Sequence, residues 1–487
     1  MPIKSLPSFP PALQAAPFRA RRWRPATAIV LAAALGLAAP ASTMAAEPAG
    51  ADDRGETPRQ RDQRLAWWRE GRVGMFIDWG LFSIPAGRWK GQPIGGDGDW
   101  VQFAARIPPS EYELLLQQFD PARFDANRWA DLARRAGMKY LVATAKHHDG
   151  FCLFDSKFSG YQVMNTPCKR DLLKEIAQAC RDQGIKVGWY YSILDWHHAD
   201  YLPRGGGSPR PWDARSPLEA NFDRYLGDVQ GQLGELLTHY GPIGLVWFDG
   251  GWEHSPQELR AGELVRHVRS LQPQVLVNDR LGLRQDFVTP EPVATAAPAA
   301  ATASEHPAVV TPRGDWETCV TINNTRGYKK DDQQWKPAEV LLRGLIDIVG
   351  RGGNCLLAVG PTAEGEVPQP VVERLEAVGR WLSVNGESIY GTTAGPFRAI
   401  PWGRSTKKPG KLYLHVFNWQ GDLPLPGLRN TVTRVYLLGD PNRAGVTAVR
   451  EAGRTIIRLP GGPTDPVDTV VVLEIRGQPV VVEPPGK

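Results

Sequence analysis

The stretch "GLVWFDGGW", Gly244 to Trp252, ends an apolar run on a carboxylate and then frees the backbone with two glycines. Leu245 to Asp249 reads as a buried strand, with nothing polar before its last residue. A buried carboxylate is costly unless something uses it. On a strand, Leu245, Trp247 and Asp249 share one face, so an aromatic ring and an acid point the same way. The competing reading is an Asp that caps a following helix.

The flanking sequence decides what that strand belongs to. Apolar runs recur at Gly74–Gly80 ("GMFIDWG"), Tyr140–Gly150 ("YLVATAKHHDG"), Ile185–Ser192, Gln274–Asp279 and Gly353–Gly360. Helical spacing lies between them. Leu172, Leu173, Ile176, Ala177 and Cys180 form one face over Asp171–Gln183, with Gly184 as the stop. Further helices are predicted over Leu226–Tyr240 and Glu339–Val349. Near-continuous apolar strands alternating with helices predict a parallel sheet covered by helices. Residues 55–395 are therefore expected to form an irregular (β/α)8-like, TIM-type barrel. A doubly wound open sheet is the alternative, but no glycine-rich dinucleotide fingerprint follows the first strand. In such barrels catalytic groups sit at the C-terminal ends of strands, where Asp249, His147-His148 and Asp279-Arg280 all fall. Val288 to Pro312, rich in Ala, Pro and Thr, reads as a loop insertion. Over 396–480, "KLYLHVF", "RVYLLGD", "RTIIRLP" and "TVVVLEI" read as short strands of a C-terminal antiparallel β-sandwich.

Residues 1–46 read as a signal peptide: Arg19, Arg21, Arg22 and Arg24 precede an apolar run, Ala26–Ala39, too short to span a bilayer comfortably. The expected location is periplasmic or secreted, with no stable membrane insertion once the signal is removed. Those residues carry five Lys or Arg and no acid, so the formal charge of +5 falls to zero in the mature chain (52 basic against 52 acidic). Nothing in that balance favours nucleic acid or an anionic membrane as partner. Five Cys, without a C-x-x-C, do not make a disulfide scaffold. Seventeen Trp, mostly core by expectation, leave some for stacking on flat ligands such as sugars.

The candidate chemistry lies at strand ends. A neutral His both donates and accepts, which suits hydroxyl recognition by His147 and His148. A metal-dependent hydrolase using the His pairs (His197-His198 is the second) is weighed and set aside. Consecutive His on one strand face opposite ways, and no H-x-H or H-E-x-x-H spacing occurs. No metal and no cofactor are expected. Arg280 ends "VNDR"; Glu291 lies eleven residues on in "TPE", and Glu317 lies in "WETC".

Seven stretches, in order from Trp67 to Thr392, resemble the α-L-fucosidases of glycoside hydrolase family 29: "MFIDWGLFSIPAGRW", "KHHDGFCLFDSK", "VGWYYSILDWHH", "LVWFDGGW", "NDR" with "TPE", "WETCVTIN" and "GGNCLLAVGPTAEGEVP". The resemblance implies an irregular barrel and retention of anomeric configuration, with a fucosylated glycan as substrate. Asp249 then matches the nucleophile, its glycines leaving room for the sugar. Glu291 is the first choice for the acid/base and Glu317 the rival. His147, His148, Tyr190, Trp247 and Arg280 would line the sugar pocket. Three positions depart from the family pattern: Asp78 stands in "DWG" for "HWG", Asp99-Trp100 for "EW", and Arg326 for an aromatic. These charges leave one alternative beside the fucosidase reading, the same machinery acting on another sugar; a second is a non-catalytic carbohydrate-binding protein, against which the retained Asp249, Glu291 and Arg280 argue.

Overall fold

The computed structural model describes residues 55–201, 220–291, 311–397, 400–451, 454–459 and 461–482. The signal read over 1–46, and most of the insertion read over 288–312, lie outside the described residues.

Seven parallel strands form the main sheet: β1 (Val73–Ile77), β2 (Tyr140–Lys146), β3 (Lys186–Ser192), β4 (Leu245–Asp249), β5 (Leu276–Val277), β6 (Glu317–Thr321) and β7 (Asn354–Val359). Their spatial order is β5-β4-β3-β2-β1-β7-β6. Helices α1 (Pro58–Gly71), α2 (Ala126–Arg135), α3 (Leu172–Asp182), α4 (Phe222–Thr238), α5 (Ala261–Leu271), α6 (Ala338–Gly350) and α7 (Gln369–Asn385) alternate with them. The helices start where side chains satisfy free N–H groups: Asp125 caps α2 through Asn127 and Arg128, and Asp171 caps α3 through Lys174. Their apolar stripes cover the sheet's outer face. The inner face packs on itself, which is why every residue of β2 and of β4 is buried.

The ring closes without a full eighth strand. Phe287 bridges Asn278, and Val288 bridges Trp316, both in parallel sense. The Asp286 N–H donates to Val277 O and the Glu317 N–H to Val288 O, each at 3.0 Å. Residues 286–288 thus occupy the position between β5 and β6. Asp286 is anchored there by Arg64 at 2.7 Å and Arg269 at 3.1 Å. The strand predicted over Gln274–Asp279 shrinks to two residues because the Asn278 amide takes over the pairing. Its Oδ1 accepts the Phe248 N–H and its Nδ2 donates to Phe248 O, each at 2.9 Å. Inside the barrel, Phe76, Val142, Tyr190, Leu245, Trp247 and Leu356 pack together, with Leu65 and Trp68 of α1 closing the floor.

The C-terminal region is the expected antiparallel sandwich. Its strands are β8 (Gly403–Lys408), β9 (Lys411–Val416), β10 (Leu423–Leu425), β11 (Val432–Leu437), β12 (Thr447–Glu451), β13 (Arg454–Arg458) and β14 (Thr469–Ile475). Thr393–Ala394, β8, β9, β14 and β11 make one sheet, and β10, β13 and β12 the other. Leu412, Leu414, Val471 and Leu473 face the second sheet, while Tyr413, Val470 and Val472 face the helices of the barrel. Strands β8, β10 and β12 escape a hydrophobicity reading because they are polar, short or exposed. The five cysteines are all free thiols. Among the described residues, no helix is long and apolar enough to cross a membrane.

Candidate active site

A cavity of about 320 Å³ opens at the C-terminal ends of the barrel strands. β1 supplies Phe76 and, just beyond its end, Asp78; the loop after it brings Asp97, Asp99 and Trp100. His147 and His148 follow β2, Tyr190 comes from β3, and Trp247 and Asp249 from β4. Arg280 and Glu291 flank the closing segment, while Cys319 and Arg326 come from β6 and the loop after it. Eleven of the twelve sequence-derived candidates line this space; Glu317 does not.

Asp249 is the last residue of β4 and is buried. The Tyr190 hydroxyl donates to its Oδ2 at 2.8 Å, and Arg280 Nη1 stands 3.4 Å from Oδ1. Burial pushes its carboxyl above the usual range, against the opposing pull of Arg280 and Tyr190. The two glycines after it serve the backbone rather than a ligand. Gly250 is left-handed (φ 75°), and a Cβ there would stand 2.5 Å from Leu194. At Gly251 a Cβ would stand 2.3 Å from the Arg280 carbonyl oxygen. Neighbouring loops approach so closely that only glycine fits, which replaces the expectation that these glycines make room for the sugar.

Arg280 reaches both acids of the cavity. Its Nη1 faces Asp249 and its Nη2 donates to Glu291 Oε1, while its Nε is held by the Thr289 hydroxyl at 2.8 Å. Asp279 fixes Thr289 by accepting from its N–H and hydroxyl. Arg326 Nη2 donates to the other Glu291 oxygen at 2.6 Å. Burial raises the Glu291 carboxyl, but the two guanidiniums outweigh it and hold the group below the usual range. The side chain is about half exposed (48%), which moderates that effect.

Glu317 begins β6 and so lies on the barrel floor, 1% exposed. Trp68 Nε1 donates to it at 3.1 Å and Trp247 Nε1 at 3.2 Å, and the Tyr140 hydroxyl donates to Oε2. Burial pushes its carboxyl up to about 7 against these three donors.

His147 and His148 do not diverge as a continuing strand would require, because β2 stops at Lys146. Their ring centroids are 4.3 Å apart and both rings line the cavity. His147 stacks on Tyr190 and points Nε2 at Asp99 (3.4 Å) and Asp78 (3.8 Å). Burial works against its charge, but Asp99 and Asp78 prevail and raise its pKa to about 9. His148 Nδ1 lies 2.7 Å from the Ser192 hydroxyl, and its ring meets Trp100 edge-on. Beneath this segment Lys146 and Asp195 form a buried pair at 2.9 Å. The second His pair is structural: His197 contacts Glu113 and His198 contacts Asp228, away from the cavity lining.

Sequence reasoning did not nominate Phe76, Asp97, Trp252 or Cys319. Trp252 lay inside the opening stretch, but nothing in the sequence shows that its ring returns to the mouth. It is 53% exposed and stacks on Trp100 with ring centroids 6.3 Å apart.

The α-L-fucosidase family model matches residues 43–387. Tissue α-L-fucosidase from Macaca fascicularis is 31% identical over 86% of this chain and 90% of its own length. The α-L-fucosidase isoenzyme 1 structure from Paenibacillus thiaminolyticus is 38% identical, with a TM-score of 0.75 over 85% of this chain and 99% of that one. A Bacteroides thetaiotaomicron GH29 α-L-fucosidase, trapped as a covalent intermediate with 2-fluoro-fucosyl fluoride, is 30% identical with a TM-score of 0.74, covering 85% and 97%.

Proposed function

The chain belongs to the α-L-fucosidases of glycoside hydrolase family 29, and we propose that it is an exported exo-enzyme that releases terminal α-L-fucosyl residues by double displacement. In this reading Asp249 attacks the anomeric carbon. Tyr190 and Arg280 favour its ionised form against burial. Glu291 protonates the leaving oxygen, for which the bound sugar must draw Arg280 and Arg326 off it and raise its carboxyl from below the usual range, and then activates the water that hydrolyses the glycosyl-enzyme. The observation that carries the reading is Arg280, which contacts both carboxyl groups through one guanidinium. One shared guanidinium holds the two acids at the same end of the cavity, as the carboxyl pair of a retaining enzyme requires. The fucosyl compound trapped by the Bacteroides relative supports both the substrate and the covalent route. Glu317, saturated by three donors on the floor, is better read as structural. His147, His148, Trp100 and Trp247 complete the sugar pocket.

The test is covalent trapping. Incubation with 2-fluoro-fucosyl fluoride followed by peptide mass spectrometry should place one fluorofucosyl adduct on the peptide containing Asp249. An adduct on another acid, or none after inactivation, removes Asp249 from the role. Residues 1–46 are assigned as the export signal, 55–395 as catalytic and 396–480 as the appended sandwich. N-terminal sequencing of exported material should begin near residue 47. A second sugar is favoured by one observation, the charged Asp78, Asp99 and Arg326 in the lining. A panel of aryl glycosides separates it from fucose.

A further inference from the structure

Asp78, Asp99 and His147 reach one wall of the cavity from three places: the end of β1, the loop after it and the end of β2. One ligand atom from each lies within 4.8 Å of the others. His147 Nε2 stands 3.4 Å from Asp99 Oδ2 and 3.8 Å from Asp78 Oδ1. The three residues are 1%, 4% and 3% exposed. Both oxygens of Asp78, Oδ1 of Asp99 and Nδ1 of His147 have no hydrogen-bond partner.

The other acids of the cavity are answered. Asp249 faces Tyr190 and Arg280, Glu291 faces Arg280 and Arg326, and Asp97 accepts the Arg326 N–H at 3.1 Å. Both guanidiniums of the lining are therefore directed at other carboxylates. Asp78 and Asp99 keep three unpartnered acceptor oxygens in a wall closed to solvent. A sugar hydroxyl can supply one hydrogen to such a group, but no charge. A divalent cation that displaces the proton held by His147 at neutral pH answers both carboxylates and the freed imidazole nitrogen together.

The spacing selects the ion. Donor atoms about 2.1 Å from a tetrahedral zinc are about 3.4 Å from one another. The His147–Asp99 pair already has that separation, Asp78 Oδ1 is a few tenths of an ångström beyond it from His147, and the two carboxylates lie within 4.8 Å of each other. The site is also a property of this chain. Asp78 stands where the resemblance places a histidine, and that exchange supplies the second carboxylate.

We propose that Asp78, Asp99 and His147 form a zinc-binding site in the cavity wall, with the fourth position open to a substrate hydroxyl. Such an ion binds and orients the sugar; the bond-making groups are unchanged. Sequence spacing does not show the site because its ligands come from separate elements. It stands apart from the choice of sugar, and its test reads binding rather than turnover.

The test is calorimetric titration of the chelator-dialysed full chain with Zn²⁺ at neutral pH. One saturable site per chain is expected, weakened about a hundredfold or more in Asp78→Asn and in Asp99→Asn. His197→Ala, which removes the surface His–Glu pair, should leave that site unchanged. Co²⁺ loaded in place of Zn²⁺ should show the intense visible bands of a tetrahedral site in the wild type, a readout that survives should either Asn variant fail to fold. No saturable binding, wild-type affinity in a folded Asn variant, or a cobalt spectrum without tetrahedral bands overturns the proposal.

Discussion

On the barrel floor Glu317 accepts from three neutral donors, Trp68, Tyr140 and Trp247. At the mouth, Asp249 and Glu291 are balanced by arginines that also touch each other's partners, and Asp78 has no donor at all. All four carboxyls sit on one barrel, and two of them carry sequence motifs of similar strength. The floor has completed its hydrogen bonding within the fold, so its acid is part of the core. The mouth meets Asp249 and Glu291 with arginine charge, which favours their ionised forms, and leaves Asp78 unmet. The kind of partner, neutral donors on the floor and guanidiniums at the mouth, rather than burial, separates the structural carboxyl from the reactive ones.

The largest expected effect falls at the mouth. Asp249→Ala should lower kcat by about a thousandfold or more, roughly 4 kcal/mol of barrier, while leaving the melting temperature near wild type. Added azide should restore part of the rate by replacing the missing carboxylate. Activity above about a hundredth of wild type would break the contrast at its most important residue.

The floor should respond in stability instead. Glu317→Ala strands three buried donors and opens a cavity, a loss of about 3–5 kcal/mol in denaturant unfolding. Its pH dependence follows from the raised pKa. Between about 4.5 and about 7 the native state holds a proton that the unfolded chain has released. Its stabilisation is complete below that window and is lost as pH rises through it, by at most about 1.4 kcal/mol per pH unit. Glu317→Gln lacks this slope, so the stability gap between wild type and variant should narrow from pH 4.5 to 7. A gap independent of pH would mean that the floor acid does not carry the proton.

Glu291→Ala sharpens the comparison by leaving-group dependence. A natural fucoside should lose about a hundredfold more activity than an activated aryl fucoside, with the basic limb of the pH profile flattened. Residual Glu317→Ala activity should fall alike on both substrates. Finding the leaving-group split at Glu317 and not at Glu291 would exchange the two roles.

The smallest effect concerns Arg326. Removing its guanidinium from Glu291 in Arg326→Leu should move the basic limb of kcat/KM upward by about one pH unit, with Arg326→Lys close to wild type. An unmoved limb would show that Arg280 alone sets the charge of that acid.

Much of this was legible in the chain. Alternating apolar strands and helices specified a parallel barrel because strands buried on both faces must be apolar along their length. Strand-end positions pointed to Asp249, His147, His148 and Arg280, and the motif order from Trp67 to Thr392 gave the family and, through that resemblance, the other seven of the eleven lining residues. Some of the remainder was decided by distance in three dimensions. Glu291 and Glu317 both follow plausible motifs, and only the closed barrel shows that one lies at the mouth and the other on the floor. The adjacent His rings share the cavity because β2 ends one residue before them, a limit that local periodicity does not mark. Asp78, Asp99 and His147 converge although 69 residues separate the first from the last. Periodicity reports which face of an element is buried; it carries no information about which strand ends meet, because that is fixed by ring closure and by packing between residues far apart in sequence.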